Sequence, residues 1–172
     1  GDVDPGGRLP ITFPDSESQL PTAVSAARYP GSGVLGLDTH YDEGVFVGYR
    51  GFDAAAREVA YPFGHGLSYT TFDYRDLAVR VAGTDVTVEV TVANTGSRPG
   101  REVVQLYVGD PQAAVARPPR ELKGFAALDL APDEERRVSF TLTARDLSYW
   151  SSAERAWLLE GGGNQLLDRF YA

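Results

Sequence analysis

The sequence predicts an antiparallel β-sandwich over residues 67–172, preceded by a loop-rich segment over 1–66. Three observations carry that prediction. Val86, Val88, Val90 and Val92 alternate with Thr87, Glu89, Thr91 and Ala93, the period of two expected of a strand with one buried face. Turn signals recur at short intervals, at Asn94-Thr95-Gly96, Gly109-Asp110-Pro111 and Ala131-Pro132-Asp133. Short alternating strands separated by such turns suit two packed sheets.

The chain opens with GDVDPGGRLPITFP, a turn followed by a strand-like Leu9–Phe13 between prolines. Asp2-x-Asp4 before two glycines resembles the start of a calcium loop, but the position that needs a bidentate glutamate holds Phe13, so a surface turn is expected. Residues 15–40 read as polar loop. Within them Gly31-Ser32-Gly33-Val34-Leu35-Gly36 matches G-x-G-x-x-G by letters, yet no strand precedes it and no helical period follows, so it is not read as a phosphate loop. Tyr41–Arg50 reads as one strand, with Val45, Val47 and Tyr49 on one face and Phe46 on the other. On that reading Asp42 and Glu43 are solvated carboxylates at the strand start and point to opposite faces. Asp53–Arg57 is a short helical turn or a hairpin tip.

Beyond Thr70 the inward sets are expected to be Leu77, Val79 and Val81, then the four valines of 86–92, then Val104, Leu106 and Val108, with Gln105 and Tyr107 opposite. Pro118 and Pro119 suit an edge strand. Val138, Phe140 and Leu142 form a further set, and Tyr149, Trp150 and Trp157 are aromatic core candidates. With no cysteine to bridge the sheets, aromatic side chains are expected to supply much of the clamp between them. After residue 160 the sequence loses period two, so the final strand is not legible.

Composition narrows function by exclusion. A net charge of −8 argues against nucleic acid and anionic membrane as partners. No apolar run approaches the roughly 18 residues of a spanning helix, and no signal-peptide pattern opens the chain. Without cysteine the compartment stays open, cytoplasmic or secreted. The chain begins with glycine and contains no methionine, which predicts a processed product or a fragment. No metal or cofactor site is expected.

One stretch stands out: Tyr61-Pro62-Phe63-Gly64-His65-Gly66-Leu67-Ser68-Tyr69-Thr70-Thr71-Phe72. Pro62 fixes its own φ and pushes Tyr61 toward extended geometry, while Gly64 and Gly66 permit backbone angles closed to other residues. A rigid aromatic turn of this kind suits a joint between two modules, so Tyr61–Tyr69 are the expected junction residues. His65 lacks a serine, cysteine or carboxylate partner close by in sequence and is read as a structural hydrogen-bonding residue rather than a ligand or general base.

That dodecamer closely resembles the junction near the C-terminus of glycoside hydrolase family 3, whose best-known members are β-glucosidases. The resemblance runs in order through residues 7–14 (GRLPITFP), 43–50 (EGVFVGYR), 103–108 (VVQLYV), 119–125 (PRELKGF) and 146–150 (DLSYW). It covers residues 1 to about 160 and departs where the family continues through Pro-Gly-x-Tyr into a last alternating strand. It implies that 1–66 is the C-terminal segment of an α/β sandwich domain with its junction, and that 67–172 is an immunoglobulin-like sandwich of the fibronectin type III-like kind. It also implies a parent that hydrolyses terminal non-reducing β-D-glycosyl residues with retention. Retention needs two carboxyl groups about 5–5.5 Å apart. In the family the nucleophile lies in an N-terminal barrel and the acid/base residue usually lies in the α/β sandwich domain, upstream of this stretch, so no catalytic residue is carried over.

Three functional readings follow. In the first the stretch is structural, its partners being the upstream barrel and α/β sandwich of the same enzyme, with the β-glucoside or oligosaccharide substrate engaged only through the parent. In the second it is a carbohydrate- or polymer-binding module that anchors the parent, using exposed aromatics among Tyr107, Tyr149, Trp150 and Trp157. In the third it is an independent hydrolase using Asp42, Glu43 or His65. If the chain stands alone, residues 1–60 lack packing partners, and exposed apolar surface with association into a homo-oligomer is expected.

Overall fold

The computed structural model describes residues 1–36, 38–160 and the pair 165–166. Its centre is two antiparallel sheets. The first has the order β1-β2-β5, built from β1 (Phe72–Ala82), β2 (Asp85–Asn94) and β5 (Glu135–Leu142). The second has the order β4-β3-β8, from β3 (Gly100–Gly109), β4 (Glu121–Leu130) and the two-residue β8 (Gln165–Leu166). A separate hairpin, β6 (Tyr149–Ser151) with β7 (Ala156–Leu158), follows the short helix α2 (Ala144–Leu147). The last strand expected after residue 160 lies outside the described residues apart from β8, whose Leu166 and Gln165 pair with Val108 and Gly109.

Local chemistry explains the strand ends. Gly83, at φ +66°, turns β1 into β2 with Ala82 paired to Asp85, a two-residue hairpin loop that favours glycine first. The capping box of Thr143 and Asp146 starts α2: the Asp146 carboxylate accepts the Thr143 N–H at 2.8 Å and its hydroxyl at 2.7 Å. Those two bonds hold the Asp146 carboxyl below its ordinary value.

The valine ladder of β2 packs as its parity requires. Val90 and Val92 join Val104, Leu128, Leu130 and Val138 in one buried cluster, and Val88 joins Leu106, Val108, Leu142 and Leu147 in a second. The clamp between the sheets is therefore aliphatic. Phe72, Tyr74 and Phe140 pack against it only partly buried, which corrects the expectation of an aromatic clamp. Among the described residues β4 pairs with β3 alone, so Pro118 and Pro119 precede an edge strand there.

Three local expectations are overturned. Tyr41–Arg50 is not a strand, because Gly44 and Gly48 take φ +60° and +56°, Phe46 N–H closes a turn on Glu43, and the helix α1 (Tyr49–Ala54) begins where the strand should end. Val79 and Val81 are not closed in the core: the bulge at Asp76, at φ +57°, shifts the β1–β2 register by one residue and keeps both on the inward face opposite Val88 and Val86, but there they line an open cleft with Val86, Leu142, Leu147 and Leu159. Trp150 and Trp157 are not core residues either, being 50% and 44% exposed. Residues 31–36 do form a loop, closed by reciprocal backbone bonds between Ser32 and Asp38.

Candidate functional site

The first fourteen residues lie along the Tyr61–Tyr69 stretch as an antiparallel partner. Phe13 and Tyr61 exchange both backbone bonds, Gly64 N–H donates to Leu9 at 2.8 Å, and Leu9 N–H donates to His65 at 2.8 Å. Pro10 and Pro62 cannot donate and break the ladder into these separate bridges. Gly64 has φ +82°, and a side chain there would overlap the Gln105 carboxamide, which donates to the Gly64 carbonyl at 3.2 Å. At Gly66 a side chain would meet the Arg8 guanidinium. These two glycines are thus explained by a left-handed angle and by close approach.

Two carboxylates tie this double layer to the sandwich. Asp4 accepts the Ser68 hydroxyl at 2.7 Å, Tyr69 N–H at 2.8 Å and Arg101 N–H at 3.0 Å. Partial burial opposes its ionisation, but these three donors and nearby Arg8 outweigh it and hold the carboxyl below the usual range. Asp4 is therefore more than part of a surface turn. Glu102 lies on the inward face of β3, 2% exposed, and the Arg8 guanidinium reaches it at 2.8 Å. The other Glu102 oxygen accepts Val103 N–H at 2.9 Å. Burial first, and then the Glu102 charge and hydrogen bond, push the Tyr74 phenol far above its ordinary value, so its hydroxyl stays a donor to that carboxylate.

A second set of contacts holds α1. Tyr49 stacks on Phe63 with centroids 4.8 Å apart, meets Tyr107 edge-on at 5.9 Å, and accepts Leu122 N–H on its hydroxyl at 2.8 Å. Asp53 takes a two-pronged bond from Arg120 at 2.6 and 3.0 Å. Tyr107, only 4% exposed, is buried beneath this arrangement, so it is not one of the exposed aromatics. At the other end of β3, where Gly100 pairs with Leu130, buried Asn94 accepts the Thr70 hydroxyl at 2.6 Å and donates to the carbonyls of Arg98 and Leu130.

The residues considered for catalysis are not brought together. His65 lies against the Tyr61 ring at 5.3 Å, with no carboxylate in ion-pair range among the described residues. Asp42 and Glu43 sit instead around Arg28, at 2.5 and 3.9 Å. The Arg28 hydrogen bond holds the Asp42 carboxyl below its ordinary value, the opposite of what a general acid needs. Glu43 is mostly buried, unlike the solvated strand-start residue expected.

The bridging roles of Asp4, Arg8, Tyr49, Asp53, Asn94, Glu102 and Arg120 do not follow from the sequence reading. For Glu102 a signal existed: it shares parity with Val104, Leu106 and Val108, so a charge was being turned inward.

Residues 102–167 match the fibronectin type III-like domain family. Over 166 residues the chain is 42% identical to thermostable β-glucosidase B of Acetivibrio thermocellus, covering 94% of this chain and 21% of that protein. It is 37% identical to β-glucosidase BoGH3A of Bacteroides ovatus, over 94% of this chain and 22% of the other. Among solved structures, a family 3 β-glucosidase of Bifidobacterium adolescentis superposes with TM-score 0.86 at 40% identity, over 94% of this chain and 23% of that one. The β-D-glucoside glucohydrolase of Trichoderma reesei superposes with TM-score 0.81 at 35% identity, over 94% and 24%. The chain thus spans about a fifth of the length of the curated relatives it matches.

Proposed function

Since the chain corresponds to the C-terminal portion of glycoside hydrolase family 3 β-glucosidases and carries a fibronectin type III-like domain, we propose that it is the structural end of such an enzyme. In this reading the parent hydrolyses terminal non-reducing β-D-glycosyl residues with retention, and the present stretch supports the catalytic domains without supplying a catalytic residue. Residues 1–66 close the upstream α/β sandwich domain, Tyr61–Tyr69 form the junction, and 67–172 form the buttress.

One observation carries this reading. Most of the exposed large apolar side chains fall before residue 70, among them Val3, Ile11, Phe13, Val24, Tyr29, Val34, Leu35, Tyr41, Tyr61 and Leu67. The sandwich beyond has two closed aliphatic clusters. Apolar surface gathered on one segment fits a face that upstream domains cover. Arg8 and Asp4 would then transmit that docking to the sandwich, because both already bond across to it.

The test is turnover of an aryl β-glucoside by this chain, by the parent enzyme lacking residues 73–172, and by the two mixed. Activity restored only in the mixture is the expected result. Turnover by the chain alone, or full activity and stability of the truncated parent, would refute the supporting role.

A further inference from the structure

A groove of about 830 Å³ runs between the β6–β7 hairpin, the start of β4 and α1. Trp150 and Trp157 form a cross-strand pair on its wall, with ring centroids 5.6 Å apart and planes inclined by 59°. Half-exposed indoles in a cleft leave a large apolar face for a ligand, and the volume falls in the range of small-molecule sites, about 300–1,000 Å³.

The charges lining the groove divide into committed and uncommitted groups. Arg117 and Lys123 both pair with Glu121, whose carboxyl they hold below its ordinary value against the opposing effect of burial, and Arg117 also lies 4.0 Å from Asp110. Asp146 is engaged with Thr143 at the start of α2. Arg145 lies 3.4 Å over the Trp157 ring and Arg50 lies 5.9 Å from the Tyr49 ring. Neither has a carboxylate within ion-pair distance among the described residues. A chain of net charge −8 therefore presents two unneutralised guanidiniums beside an indole pair.

We propose that this groove binds an acidic saccharide, a short chain containing hexuronate. The apolar C–H face of a pyranose stacks on Trp150, and its carboxylate takes the planar donor fork of Arg145 or Arg50. Trp157, covered on one face by Arg145, holds that guanidinium in place rather than stacking on sugar. This binding role is additional to the supporting one and does not depend on it.

Both tryptophans of the chain lie in the groove, so tryptophan emission, excited beyond the absorption of the nine tyrosines, reports this site. The experiment is titration of the 172-residue chain with tetragalacturonate, with cellotetraose as the neutral control. A saturable emission change with tetragalacturonate, weakened by salt and roughly tenfold weaker with cellotetraose, is expected. Arg145→Gln and Arg50→Gln should each reduce the acidic affinity toward the neutral value. Arg50 lies on α1, so its substitution leaves the tryptophan hairpin intact and separates loss of binding from misfolding. No saturable change, equal response to both saccharides, or undiminished binding in both variants would overturn the proposal. So would a response to the upstream catalytic portion of the parent but not to tetragalacturonate, which would make the groove a domain-docking face.

Discussion

Arg8→Ala would leave the Glu102 carboxylate on the inward face of β3 without the guanidinium now 2.8 Å away. The pair is well removed from water, with side chains 13% and 2% exposed, so it is not a surface salt bridge of small consequence. Removing one partner of a buried pair costs about 3–5 kcal/mol, because the remaining charge is buried uncompensated. Glu102 would keep the Val103 N–H and the Tyr74 hydroxyl, which places the expected loss near the lower end, about 3 kcal/mol. That is a large share of the roughly 5–15 kcal/mol by which a domain is stable. The assay is urea unfolding followed by far-ultraviolet circular dichroism, on wild type, Arg8→Ala, Glu102→Gln and the double variant. The double variant should recover at least about 1 kcal/mol over Arg8→Ala, since a neutral carboxamide in place of the Glu102 carboxylate would need no counter-charge. A loss below about 1 kcal/mol, or no rescue by Glu102→Gln, would refute the reasoning.

Two further outcomes are expected. Gly64→Ala should lower stability by about 1–3 kcal/mol, because φ +82° is strained for alanine and the added carbon meets Gln105. A thermal melt of Gly64→Ala with and without Gln105→Ala separates the two causes, and only the steric part should be recovered. Asp4→Ala should cost about 1–3 kcal/mol by leaving Ser68, Tyr69 and Arg101 without their shared acceptor, and should lower hydrogen-exchange protection at the Tyr69 and Arg101 amides. Because the folded Asp4 pKa lies below its unfolded value, its contribution is present above the unfolded value and is lost as pH falls through the folded one. Unfolding free energies of wild type and Asp4→Ala should therefore converge in acid.

The sandwich was legible because its signal is local. Parity along β2 and β3, the turn signals at 94–96, 109–111 and 131–133 and prolines before an edge strand each act within a few residues, and each is written in order. The same locality explains the errors over 41–50 and at 79–81. Alternation alone reads Val45, Val47 and Tyr49 as a strand face, yet two glycines with positive φ break the run and let α1 form. Val79 and Val81 do keep the inward face, opposite Val88 and Val86, but nothing in their alternation says that the face is left open there as a cleft.

By itself the sequence determined which residues alternate, where the chain turns, and that a Gly- and Pro-rich aromatic stretch separates loop from strands. Tertiary structure alone decided what those pieces touch. Arg8 meets Glu102 across 94 positions and Asp53 meets Arg120 across 67. No local pattern encodes which distant cation will accompany a charge turned inward. Burial of an aromatic is likewise a property of what lies above it: Tyr107 is covered by Tyr49 and Arg120, whereas Trp150 stands at the mouth of a groove. Periodicity reports the face a side chain points from, and only packing between distant segments decides whether that face is closed.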